Sequence, residues 1–123
     1  MALPERKRGY TYADYEKLPE GAPYQLIGGN LIKEPSPVPY HQILSKRIEL
    51  ELANFVENNG LGEVLYAPMD VYFSEKEVYQ PDIMFISRER MNIIGDKNIE
   101  AAPDLIIEIL SPSSAYYDLR HKM

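Results

Sequence analysis

The longest periodic stretch runs from about Pro39 to Asn59, where Leu44, Ile48, Leu52, Phe55 and Val56 recur at the three-to-four spacing of one helix face. Gly60 follows as a C-terminal cap, so the pattern predicts one long amphipathic helix. Before it, Thr11-Tyr12-Ala13-Asp14 resembles a capping box and predicts a short helix through Leu18, ended by Pro19 and Gly21. The short apolar runs Tyr24 to Ile27 and Leu31 to Lys33 flank Gly28-Gly29-Asn30, the signature of a tight β-hairpin. Pro35, Pro37 and Pro39 then make a stiff connection into the long helix. Beyond Gly60 the runs Glu63 to Ala67, Val71 to Ser74 and Val78 to Ser87 read as strands, broken at Pro68 and at Ser74-Glu75-Lys76-Glu77 and expected to pair as an antiparallel meander. Arg88 to Ile94 fits a short helix, and Gly95 to Ala102 a polar loop. Ser111-Pro112-Ser113-Ser114 offers N-cap hydroxyls for a last helix.

One run stands out because it carries a charge where its neighbours argue for none. Asp104 to Leu110 is apolar and β-branched and lies between Pro103 and Pro112, which predicts a strand. Alternation puts Leu105, Ile107 and Ile109 on one face and Asp104, Ile106, Glu108 and Leu110 on the other. Large apolar groups on both faces predict a central strand in a covered sheet, with Glu108 on a buried face. Burying an ionised carboxylate costs several kcal/mol unless a cation, a metal or strong donors meet it. Gln80-Pro81-Asp82-Ile83-Met84-Phe85-Ile86 repeats the anomaly, since Asp82 shares a face with Met84 and Ile86 while Ile83 and Phe85 take the other.

The predicted fold class is α/β, a mixed sheet of about five to six strands with flanking helices. The chain of 123 residues suits one domain over 1–123. Hydrophobic residues make up 45% and charged residues 26%, ordinary values for a soluble globular protein that speak against disorder. No apolar run approaches the roughly 20 residues needed to cross a bilayer, and Met1 to Lys17 has no signal-peptide core, so no membrane association and a cytoplasmic location are expected. The absence of cysteine excludes disulfides and thiolate metal sites and fits a reducing compartment. The net charge of −6 argues against broad, non-specific nucleic-acid affinity. Up to Gly60 there are 7 basic and 8 acidic residues; after it, 6 and 11, so the acidity gathers around the two anomalous strands.

Two hard oxygen donors facing each other are what Mg²⁺ takes from a protein, and Mn²⁺ can substitute. Asp82 and Glu108, on strands separated by a short helix and a loop, can be sheet neighbours and would hold such an ion. Lys122, on the last predicted helix, could orient a water and offset charge on a phosphate, although it also lies four residues after Asp118, where a surface ion pair accounts for it. His41, in the first turn of the long helix, reads either as an accessory ligand or phosphate contact or as a partly exposed polar residue.

The order Pro81-Asp82, Glu108-Ile109-Leu110 and Lys122 resembles the PD-(D/E)XK nuclease signature, in the variant whose lysine sits on the helix after the strand. More closely, Tyr10-Thr11-Tyr12, Tyr24-Gln25-Leu26-Ile27-Gly28-Gly29, His41-Gln42, Gln80-Pro81-Asp82-Ile83 and the stretch from Pro103 to Ser113 resemble the Uma-type family catalogued as restriction endonucleases, over nearly the whole chain. The resemblance implies a restriction-endonuclease-like core and Mg²⁺-dependent hydrolysis of nucleic-acid phosphodiesters, with DNA as the substrate. It maps metal binding onto Asp82, Glu108 and the Ile109 carbonyl, and the catalytic lysine onto Lys122. Gln25 is an accessory position and a departure, because the family usually has Glu there. Members of the family also continue through a longer helix and a further strand past the lysine. The alternative is a nuclease-fold module that binds nucleic acid or a protein partner without cutting. A third reading, a small-molecule phosphatase, lacks a phosphate-cradling Gly-rich loop. A homodimer is compatible with all of these.

Overall fold

The computed structural model describes residues 9–110; the predicted last helix and Lys122 lie outside them. The element order is α1 (Tyr12–Glu16), β1 (Tyr24–Ile27), β2 (Asn30–Lys33), α2 (Pro39–Asn58), β3 (Gly62–Tyr66), β4 (Val71–Ser74), β5 (Glu77–Tyr79), β6 (Ile83–Ser87), a 3-10 segment (Arg88–Ile93) and β7 (Leu105–Ile107). The fold class is α/β, with two antiparallel sheets of four and three strands. The described residues form two compact units. The first comprises those up to Pro35 with 68–80 and 92–102; the second comprises 36–67, 81–91 and those from Pro103 on.

In the first unit the sheet runs β2-β1-β5-β4. The β1–β2 hairpin turns through Gly28 (φ +57°) and Gly29 (φ +79°), with Ile27 opposite Asn30. Positive φ at both central positions is the type I′ geometry, which Gly adopts without steric cost. The turn is tied to the β4–β5 connection, since the Gly28 N–H donates to Glu77 Oε1 at 2.9 Å and the Gly29 N–H to the Lys76 carbonyl at 3.1 Å. α1 is shorter than predicted, but its start is as the capping pattern requires: the Thr11 N–H donates to Asp14 Oδ2 at 3.0 Å. Tyr10, Tyr15, Leu26 and Val78 form the core of this unit, with Tyr12, Leu18, Tyr24, Leu31 and Tyr72 packed around them. The tyrosines supply the apolar area that a larger Phe or Trp content would otherwise provide.

The run predicted as one strand from Val78 to Ser87 is two strands in two sheets. Pro81 has no N–H to give to a ladder and divides the run, so β5 ends at Tyr79 and β6 begins at Ile83. The expected meander is replaced accordingly: β4 pairs with β5, β5 with β1, and β3 with β6.

In the second unit the sheet runs β3-β6-β7, and α2 packs on β3. β6 is central, with Ile83, Met84 and Ile86 at 0% exposure. Its alternate side chains are covered on both faces, each contributing about 1.5–3 kcal/mol of burial. β7, in contrast, is an edge strand among the described residues, with Leu105 44% and Ile106 38% exposed. The apolar-on-both-faces pattern therefore predicted a central strand correctly for β6 and incorrectly for β7. The α2 face carrying Ile48, Leu52 and Phe55 meets Ile107 of β7 along an open groove of about 460 Å³. Among the described residues no helix is long and apolar enough to cross a membrane.

β3 lies so close to β6 at Gly62 that a Cβ there would meet the Ile86 carbonyl oxygen at 2.0 Å, in a backbone at φ +153°. Gly62→Ala must push the two strands apart and should cost about 3 kcal/mol or more, read as a lowered denaturant midpoint with an unchanged slope. A midpoint equal to that of the wild type would contradict this packing.

Candidate metal centre around Asp82

Pro81 is fully buried, and Asp82 follows it immediately before β6. The Asp82 backbone carbonyl accepts the Ala67 N–H at 3.0 Å, which fixes the residue beside the end of β3. Its carboxylate is held from two more directions. Oδ1 lies 3.2 Å from His41 Nε2, with the two side chains only 17% and 18% exposed. Oδ2 accepts the Ile109 N–H at 2.7 Å. The helix start, the end of β3 and the segment after β7 thus converge on one residue, the first and last of them on its carboxylate.

The register of β6 on β7 explains how these groups meet. Ile83 pairs with Ile107, Met84 with Ile106 and Phe85 with Leu105. One step further in the same register would set Asp82 against Glu108 and Pro81 against Ile109, but the ladder ends at Ile83 and Ile107. Pro81 cannot donate to the ladder, so the pairing stops, and the Ile109 N–H turns to the Asp82 carboxylate instead. This is also why β7 ends at Ile107 and not at Leu110 as predicted. Glu108 lies just past the strand and is exposed, which corrects the expectation that it is buried. It does not carry the desolvation cost that the sequence pattern suggested.

Of the other positions singled out in the sequence, Gln25 belongs to the first unit. Its side-chain oxygen accepts the Gln80 N–H at 2.7 Å, a contact for which an amide oxygen serves as well as a carboxylate. Around it lies a polar network that the hydrophobic pattern does not announce. The Tyr15 hydroxyl lies 2.7 Å from Asp70 Oδ1 and 3.0 Å from the Tyr24 carbonyl, and the Gln80 side-chain amide donates to the same Asp70 oxygen at 2.8 Å. Burial, reinforced by the Asp70 carboxylate, pushes the Tyr15 hydroxyl pKa far above its ordinary value. The only sequence signal for this network was an Asp just before an apolar strand.

Asp104, expected inside the last strand, precedes β7 and caps the end of β6. Its Oδ2 accepts the Ser87 N–H at 2.6 Å, and its Oδ1 lies 3.3 Å from an Arg90 guanidinium nitrogen. The bond from the Ser87 backbone is the main influence that lowers its pKa below the ordinary 3.8, with Arg90 adding to it.

Among the described residues no three histidine, aspartate or glutamate side chains stand together as a ready-made metal cage. What is present is a largely covered Asp–His pair with a second carboxylate next in register, so any ion would complete its shell with water or substrate oxygens. That is the manner of Mg²⁺ and its relatives. A mostly buried carboxylate with its backbone fixed at a strand end fits such an ion.

The α/β fold is nuclease-like: it matches the crystal structure of a "putative nuclease belonging to DUF820" from Anabaena variabilis with a TM-score of 0.72 and 24% identity, covering 91% of this chain and 64% of that one. This chain therefore spans just under two thirds of the length of that protein. Residues 12–123 match the Uma2 family, described as "Putative restriction endonuclease", and the chain belongs to that family. No curated protein matches it.

The Asp104 geometry has a pH consequence. A carboxyl whose folded pKa is depressed stabilises the fold above its unfolded pKa, and that contribution is lost as pH falls through the folded pKa. In an NMR titration Asp104 should therefore titrate below 3.8, and Asp104→Asn should flatten the loss of stability in acid below about pH 4. An Asp104 titrating at or above its ordinary value would contradict the cap.

Proposed function

We propose that this chain is the core of a divalent-metal-dependent endonuclease that hydrolyses nucleic-acid phosphodiesters, with DNA as substrate, Mg²⁺ as the working ion and Mn²⁺ as a substitute. The observation that carries the reading is the end of the β6–β7 ladder at Ile83 and Ile107, which leaves Asp82 and Glu108 as the next residue on each strand, with the Asp82 carboxylate bound by the Ile109 N–H. Directly opposed residues on antiparallel strands have Cβ atoms roughly 5 Å apart, close enough for two carboxylates to share an ion. Membership of the Uma2 family supports the same assignment.

In this reading Asp82 and Glu108 supply the charged oxygens, and the Ile109 carbonyl a neutral one. A bound divalent ion supplies positive charge against the phosphate as negative charge builds on it. The Ile109 N–H keeps the Asp82 carboxylate oriented, so that little reorganisation is needed when a substrate arrives. Lys122, outside the described residues, is assigned to orienting the attacking water and to offsetting the same charge. The exposure of Glu108 suits this role, since a large polyanion must reach the ion from solvent.

A second reading, a nuclease-fold module that binds without cutting, is favoured by Gln25, whose side chain brings no charge and whose oxygen is engaged by Gln80. The two readings part in one assay. The full-length protein with Mg²⁺ or Mn²⁺ should nick supercoiled plasmid, and Asp82→Ala or Glu108→Ala should each slow it about a hundredfold or more. Nicking that survives both substitutions would overturn the proposal, and calorimetry that finds no metal binding by the intact protein would favour the binding module.

A further inference from the structure

His41 is the least comfortable side chain of the site. It is 82% covered, its Nε2 faces Asp82, and its Nδ1 is buried without a hydrogen-bond partner among the described residues. A buried polar atom left unsatisfied costs about 1–3 kcal/mol, so holding His41 in this position carries a cost to the fold, and Nε2, the atom that faces Asp82, is the one placed to bind an ion. A bystander at the start of a long helix would be more stable turned to solvent or replaced by an apolar residue. The helix instead aims the imidazole at the one carboxylate that the register and Pro81 fix in place.

The spacing of the pair bears on what it can hold. Two donors bound side by side to one ion at roughly 2.0–2.2 Å stand about 3.0–3.4 Å apart. His41 Nε2 and Asp82 Oδ1 are 3.2 Å apart. One ion can therefore replace the contact between them without moving either side chain far.

Building on the metal-dependent reading above, we infer that His41 Nε2 is a nitrogen ligand of the same ion as Asp82, and that it biases the site toward Mn²⁺ and similar transition ions over Mg²⁺. Imidazole is a ligand for first-row transition ions, of which Mn²⁺ is the hardest and binds it most weakly, and it contributes less still to Mg²⁺, which keeps to oxygen. The carboxylates hold either ion; the histidine discriminates. His41 also comes from α2, whereas the carboxylates come from the β6–β7 ladder, so the ion would tie the start of the helix to the sheet within the second unit.

The test measures binding directly. Mn²⁺ and Mg²⁺ are titrated calorimetrically into the full-length wild type, His41→Ala and His41→Gln, the last keeping a polar side chain of similar bulk in case the alanine variant folds poorly, with circular dichroism melts confirming the fold. Pulsed electron paramagnetic resonance of the Mn²⁺-loaded proteins then reports ¹⁴N coupling to the metal. The inference expects imidazole coupling in the wild type, lost in both variants, with Mn²⁺ affinity lowered about tenfold or more and Mg²⁺ affinity changed much less. Mn²⁺ bound without nitrogen coupling, coupling that persists in the variants from His121 or another nitrogen, or an unchanged ratio of the two affinities would overturn it and leave the metal-dependent nuclease reading standing. Absence of Mn²⁺ binding by the wild type would remove both.

Discussion

The second unit is organised around a carboxylate that cannot leave. Asp82 follows a buried proline and precedes the most deeply covered of the described strands, which holds its backbone in place. The charge must be met where it stands. The Ile109 N–H and the His41 imidazole meet it, and each contact has a structural consequence. The first ends β7 by taking a donor out of the ladder. The second fixes the start of α2 beside the start of β6. Removing the carboxylate would leave a partly buried N–H and an almost covered imidazole without this partner, whereas a cation beside it could be bound by the carboxylate and the imidazole while the Ile109 N–H keeps its acceptor.

Much of this was legible in the chain because the residues responsible act locally. The Gly28-Gly29 turn, the capping pattern at Thr11 and the periodicity of α2 depend on neighbours in sequence, and the structure bears each of them out. Asp82 was also legible, because a carboxylate inside an apolar run contradicts its surroundings wherever the strand is placed. The pairing of strands was not. Whether β5 and β6 form one strand or two turns on the N–H that Pro81 lacks, and their partners β1 and β3 are distant in sequence.

Glu108 shows the limit more sharply. Its neighbours Ile106 and Leu110 argued for burial, but burial is a property of a strand's place in the sheet, and among the described residues β7 lies at the edge with Ile106 and Leu110 38% and 47% exposed. An alternating pattern specifies which residues share a face and not what covers that face. The Asp82–His41 pair escaped prediction for a similar reason: a lone histidine at a helix start has no sequence partner, and only the packing of α2 beside β3 and the start of β6 brings it within 3.2 Å of a carboxylate.

The central claim is that Asp82 and Glu108 share one divalent ion. Anomalous scattering from crystals of the full-length protein soaked in Mn²⁺ tests it most directly. The account predicts a single strong peak at roughly 2.0–2.3 Å from an oxygen of each carboxylate. A Mn²⁺ peak elsewhere, or none at saturating metal with the Asp82 carboxylate still on the Ile109 N–H, would contradict it.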